Sequence, residues 1–244
     1  MTHQPKYVFY ERDRKVGTIT LRRDPLNMYD GAFHADFQDA WLQARRDPDT
    51  TVVLMKAEGK HFCVGANLRS PEDAPPDVEI LQPADEIALI GRTMKPTIAA
   101  VQGGCIGGGQ RMVFPCDLVF CTEDAFFMDP TVSMGIGGIQ SHLHTWFYGP
   151  RVAKEMIYSG MRLPASRLYS MGQVNRLYPD LVTLHGEALA FAHQIAEQDP
   201  VALRQAKRAS DITMDIMGRH YMLSRMEELL DEFPKMNLHL PESD

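Results

Sequence analysis

The chain opens on alternation and closes on helical periodicity. In Tyr7–Asp13 ("YVFYERD") and Lys15–Arg23 ("KVGTITLRR") apolar and polar positions alternate, with many aromatic and β-branched residues. This period of two predicts two half-buried strands, joined by a charged turn at Asp13 and Arg14. "DPLNMYDGAF" is turn chemistry. Within residues 32–47, Phe33, Phe37, Ala40, Trp41 and Ala44 share one face at helical spacing, predicting an amphipathic helix. The apolar run "TTVVLMKAEG" predicts a buried strand, and "KHFCVGANLRS" a loop. The proline-rich, acidic "PEDAPPD" is irregular, and a helix is expected from about Val78 to Met94. "KPTIAAVQGG" predicts a strand started by a proline, "GGGQRMVFP" a short helix, and "DLVFCTEDAFFMD" a strand, a turn and a strand. From Gln140 onward nearly every segment has helical periodicity. Strands alternate with helices to about residue 130, which predicts an α/β fold with a largely parallel sheet and a helical C-terminal region. We place the division at residue 190: core 1–190, and helices 191–244 that cap the pocket and carry oligomer contacts.

Composition narrows the function. The chain has 244 residues, 44% hydrophobic and 23% charged, as in ordinary soluble enzymes. Its net charge is 25 − 32 = −7. That argues against nucleic-acid or anionic-membrane binding, which needs a basic field, but not against a local cationic pocket. Of the four cysteines, no two form a CxxC pair, and no Cys/His group has zinc spacing, so we expect reduced thiols and no metal. The N-terminus lacks a signal-peptide core, and no apolar run approaches the roughly 18 residues of a membrane span. A cytoplasmic protein is expected.

The stretch "VQGGCIGGGQRMVFPCD" carries five glycines in seventeen residues. A phosphate-binding P-loop would need Lys-Ser/Thr after the last glycine, and a dinucleotide loop would need GxGxxG after the first strand; neither pattern is present. Two readings remain open: a bare backbone aiming N–H groups at a developing oxyanion, and a close strand–helix crossing with no room for side chains.

Four motifs in order favour the first. "GKHFCVGANL", "KPTIAAVQGGCIGGG", "CDLVFCTEDAFFMDPTVSMGI" and "GPRVAKEMIYSGMRLPASRLYSMGQVNRLYP" resemble successive signatures of the crotonase superfamily, the enoyl-CoA hydratase/isomerase fold, and the likeness covers residues 7 to about 210. The resemblance implies a crotonase-like ββα spiral closed by helices and assembled as a homotrimer or dimer of trimers. It implies an acyl-CoA thioester as substrate, with coenzyme A as part of it and no separate cofactor. Two main-chain N–H groups would hold the thioester oxygen while an enolate forms; carried over by position they belong to Ala66 and Gly108. Cys63, Gly65, Leu68 and Gly107 would line the same substrate site. Arg22, Arg23 and Arg69 fall where relatives contact the nucleotide end of CoA, though each is equally readable as a solvated surface arginine.

The chain also departs from the family. Hydratases of this superfamily hold their water between two glutamates; those positions are Arg111 and Thr131 here. Arginine cannot act as a base at neutral pH, and threonine would need an activator. Asp129, two residues before Thr131, is the best remaining proton carrier, with an Asp-Pro turn as its structural alternative. Gln140, His144 and Tyr148 share one helical face; the stripe either lines the acyl pocket, with His144 carrying a proton and Tyr148 donating, or packs against a neighbour. His142 diverges from that face, and a His142/His144 metal site lacks carboxylate company. Cys63 and Cys105 lack an adjacent base and are read as structural, and Asp117 as a cap. The expected function is therefore an enoyl-CoA hydratase/isomerase-type enzyme, with hydration of a 2-enoyl-CoA as default. The alternatives are isomerisation, β-dicarbonyl C–C hydrolysis through Asp129 and His144, or acyl-CoA binding without turnover.

Overall fold

The two alternating segments form β1 (Val8–Asp13) and β2 (Val16–Leu21), antiparallel in register from Val8↔Leu21 to Asp13↔Val16. The computed structural model describes residues 4–136 and 141–232. After β2 the chain makes α1 (Gly31–Arg46), then β3 (Val52–Ala57), which lies parallel to β2. Side chains along β3 leave on alternate faces: Val53 and Met55 join Phe33, Phe37 and Trp41 in the main core, while Val52 and Leu54 join a second core. Burial on both faces explains why this strand reads as a continuous apolar run.

Next come α2 (Pro83–Gly91), β4 (Thr97–Val101) and β5 (Gly104–Ile106). β4 pairs with β3, but β5 leaves for another sheet. After α3 (Gly109–Val113), β6 (Leu118–Thr122) returns to β4 and β7 (Phe126–Met128) goes out to pair with β5. The turns β4–β5 and β6–β7 thus each lay one strand in each sheet, while β1, β2 and β3 all lie in the larger one, and this winding is the ββα spiral. The C-terminal part contributes α4 (Ser141–Tyr148), α5 (Pro150–Ser159), β8 (Leu163–Pro164), α6 (Ala165–Ser170) and β9 (Arg176–Tyr178). Three helices follow: α7 (Leu181–Ala196), α8 (Pro200–Ile216) and α9 (Arg219–Glu232). The sheet orders are β1-β2-β3-β4-β6-β9 and β5-β7-β8.

The structure corrects several boundaries. The helix expected from Val78 to Met94 is α2, Pro83–Gly91. Pro83 sits in its first turn and disfavours helical backbone at Gln82, which is extended, so the helix starts there; residues 78–82 are irregular. The strand read across residues 95–104 is two strands in two sheets, broken at Gly103, whose φ is 54°. The tail read as helical contains β8 and β9, both too short to show a period. Residue 190 falls in the middle of α7, whose Leu184, Ala188, Ala192 and Ala196 pack on the second core from end to end. α8 is fastened to the sheet as well: Lys207 Nζ donates to Asp117 Oδ2 at 2.6 Å and to Lys95 O at 3.2 Å. Asp117 also accepts from Thr97 N at 2.8 Å, so it caps the end of the sheet, at the start of β6.

One carboxylate orders the approach to the site. Asp30 caps α1 by accepting from Phe33 N at 3.2 Å, accepts from Glu72 N at 2.9 Å, and pairs with Arg23 at 2.7 Å. Burial alone would raise its pKa, but Arg23 and the two N–H donors outweigh burial and lower it to about 2. A depressed carboxylate contributes stability that is complete above its unfolded pKa near 3.8 and is lost as pH falls toward 2. Urea melts of wild type and Asp30→Asn should therefore differ most above pH 4 and converge as pH falls to about 2; a constant gap across that window contradicts the assignment.

Candidate active site

Two loops and one tyrosine define the site. Residues 62–67 run beside residues 102–106: Phe62 N donates to Gln102 O at 2.9 Å, Cys63 N to Gly104 O at 3.2 Å, and Ile106 N to Cys63 O at 2.9 Å. Gly65, at φ 101°, then turns the chain toward residue 29. There Tyr29 N donates to Gly65 O at 3.0 Å and Asn67 N to Tyr29 O at 2.8 Å, with Ala66 bridged to Tyr29 between them. Among the described residues no main-chain acceptor takes the Ala66 N–H. The side chain of the same tyrosine reaches the second loop, where a Cβ on Gly108 would run into its hydroxyl. Tyr29 therefore contacts both expected donor positions, Ala66 by its backbone and Gly108 by its phenol. Gly107 N donates to Met128 O at 2.8 Å, which seats the glycine run against the end of β7.

Asp129 follows β7 directly, so the β5–β7 pairing delivers it beside Gly107. It is 1% exposed. Its Oδ1 accepts from Thr131 N at 3.0 Å, the Asp-Pro turn; its Oδ2 lies 3.6 Å from His144 Nε2. The turn reading of Asp129 is thus seen at Oδ1, while Oδ2 faces the imidazole. His144 is fully buried, with its ring edge-on to Phe114 at 5.5 Å. Thr131 is half-buried and contacts Asp129 through its backbone.

Tyr148, expected as a donor to substrate, finds an acceptor within the protein. Its hydroxyl donates to Gln110 Oε1 at 2.8 Å, and Gln110 Nε2 donates to Met128 O at 2.9 Å, so it locks α4 to α3 and β7. Gln140 lies outside the described residues. His142 is partly buried; burial, with His144 nearby, lowers its pKa to about 4. The Cys63 thiol is fully buried and pushed up to about 12, which suits a packing role.

A cluster that sequence reasoning missed lies on the other side of α3. Arg111, 7% exposed, points its guanidinium at the Tyr29 ring, 5.3 Å from the centroid. Glu86 of α2, 3% exposed, meets His34 Nδ1 at 2.5 Å through Oε2. His34 in turn lies 4.9 Å from the Tyr29 ring, centroid to centroid. Burial would raise the Glu86 pKa, but His34 and Arg111 outweigh it and hold the group ionised. Glu86 Oε1 and Arg111 Nε are buried without a hydrogen-bond partner among the described residues. The spacing of Tyr29, His34 and Glu86 gave no signal, because α1 and α2 bring them to Arg111 only in the fold.

The expected CoA cations divide. Arg22 is exposed and paired to Glu58 by two bonds of 2.8 Å. Arg23 is committed to Asp30 and lies over the Tyr7 ring at 4.1 Å. Arg69 and Leu68 are exposed at the end of the first loop. A cavity of about 300 Å³ opens between α2, α4, α8 and α9, lined in part by Phe114, Leu143, Phe147 and Leu223. None of Ala66, Gly108, Asp129 and His144 lines it; Phe114 stands between it and His144. Among the described residues no cluster of three metal-ligating side chains occurs, and no helix is long and apolar enough to cross a membrane.

This architecture defines a class. Residues 11–236 match the Enoyl-CoA hydratase/isomerase family model, and the chain belongs to that family. A solved structure of a probable enoyl-CoA hydratase from Mycobacterium smegmatis is 35% identical, with TM-score 0.82 over 92% of both chains. A probable enoyl-CoA hydratase of Mycobacterium tuberculosis is 31% identical over 83% of this chain and 80% of its own length. The human mitochondrial Delta(3,5)-Delta(2,4)-dienoyl-CoA isomerase is 29% identical over 76% of this chain, which spans 62% of that longer protein.

Proposed function

We propose that the protein transforms an acyl-CoA thioester, with the Ala66 and Gly108 N–H groups holding the thioester oxygen and the Asp129–His144 pair moving the proton. The observation that carries this reading is the delivery of a buried carboxylate–imidazole pair beside the glycine run by the β5–β7 pairing. Oxyanion donors act on charge that develops only in the transition state, and one such donor contributes about 10²–10³ in rate. Asp129 takes the proton and His144, on its Oδ2, shares it. Hydration of a 2-enoyl-CoA is the default reaction. A second reading, double-bond isomerisation, is favoured by the single carboxylate: shifting a double bond needs one group that removes and returns a proton, whereas the glutamate pair that would hold a water is replaced by Arg111 and Thr131. Exposed apolar residues on the C-terminal helices, with Ile216 81% and Tyr221 70% exposed, support assembly into a trimer or a dimer of trimers.

The test is turnover of crotonyl-CoA and longer 2- and 3-enoyl-CoA esters in heavy-oxygen water, read by mass spectrometry. Labelled 3-hydroxyacyl-CoA is expected for hydration, and an unlabelled product of unchanged mass with a moved double bond for isomerisation. If esters bind but none is converted, while β-diketone esters are cleaved, the pair serves C–C hydrolysis. Binding with no conversion of any of these refutes the enzymatic reading.

A further inference from the structure

We propose that Tyr29 is a catalytic residue: its hydroxyl donates a third hydrogen bond to the thioester oxygen beside the two main-chain N–H groups, with Arg111 as the positioning residue that aims it. This rests on the acyl-CoA reading of the same site.

Three observations converge on it. The backbone of Tyr29 is zipped to the first loop on both sides of Ala66, so the side chain starts from a fixed point. Its hydroxyl ends against Gly108, at the second donor position, where no side chain other than hydrogen fits. The polar groups around the ring are Arg111, over its face, and His34, which lies beside the ring and holds the buried Glu86. Burial raises the phenol's pKa and keeps it protonated, while the Arg111 charge over the ring partly opposes that shift and so polarises the O–H. A neutral, polarised donor in a dry site suits an oxygen that gains negative charge. Arg111 then has a reason to stand where hydratases of the resembling superfamily carry a glutamate: it tunes a donor where they hold a water.

The experiment uses the full chain with acetoacetyl-CoA, whose enolate absorbs in the near ultraviolet and which cannot be hydrated. The bound enolate-to-ketone ratio is followed against pH for wild type, Tyr29→Phe and Arg111→Gln, and butyryl-CoA affinity reports ground-state binding. Tyr29→Phe is expected to lower the ratio about 10- to 100-fold with butyryl-CoA affinity nearly unchanged, and Arg111→Gln to lower it by less. An unchanged ratio in Tyr29→Phe overturns the proposal, as does a loss of butyryl-CoA affinity that matches the loss in ratio, which would mark a packing role. Should Tyr29→Phe not fold, an unchanged ratio in Arg111→Gln overturns it alone. Failure of the wild type to bind either ester overturns the acyl-CoA reading itself, and this inference with it.

Discussion

Asp129→Asn is expected to lower turnover of the acyl-CoA ester by about 10²- to 10⁴-fold, the range a positioned acid–base group contributes. The substitution is selective by geometry. The asparagine carbonyl can still accept from Thr131 N, now 3.0 Å from Oδ1, so the turn after β7 survives. What disappears is the charge and basicity of the oxygen facing His144 at 3.6 Å. Thermal melts should therefore change little, because amide and carboxylate fill the same volume and the bond from Thr131 N is kept. Steady-state kinetics decide the matter: a kcat within a few-fold of wild type would show that the proton travels elsewhere.

Gly108→Ala should be the other severe change, for a steric reason. Gly108 has φ −62°, ordinary helical backbone, so alanine meets no conformational penalty there. Its methyl would collide with the Tyr29 hydroxyl, and either the ring or the start of α3 must move. Over-packing of this sort costs about 1–3 kcal/mol of stability. Displacing one oxyanion donor costs a further 10²–10³ in turnover. Gly107→Ala supplies the contrast, because its added Cβ meets nothing within 4 Å while its φ is 54°. It should lose about 1–2 kcal/mol of stability through left-handed strain, with less effect on the chemistry. Equal kinetic damage from both substitutions would show that the Tyr29 contact is not what makes Gly108 special.

Periodicity revealed the elements whose burial repeats along one strand or one helix. The alternation of β1 and β2, the Phe33–Trp41 stripe and the two-sided apolar run of β3 were legible because each follows directly from where its side chains go. The break at Gly103 was hidden because "TIAAVQGGCI" is apolar on either side of it, and only pairing partners tell two sheets apart. The site divided in the same way. Asp129 stood out from its place beside Thr131, and the glycine run from its composition, as candidates. Tyr29, His34 and Glu86 come from a turn and two helices, and no local spacing links them to Arg111. Arg22 and Arg23 pair with Glu58 and Asp30, partners that no local spacing in the sequence reveals.

The bond from Lys207 to Asp117 makes the C-terminal helices part of the folding unit of the sheet. Lys207 is 8% exposed and Asp117 closes the ends of both β4 and β6. Lifting α8 away would take the buried Lys207 ammonium from both of its acceptors and leave the Asp117 carboxylate without that cation. Partial opening of the tail is thereby made costly unless the sheet end loosens with it. The helices that could have behaved as a detachable lid instead share the cooperativity of the spiral, and motion near the site is left to the loops between them.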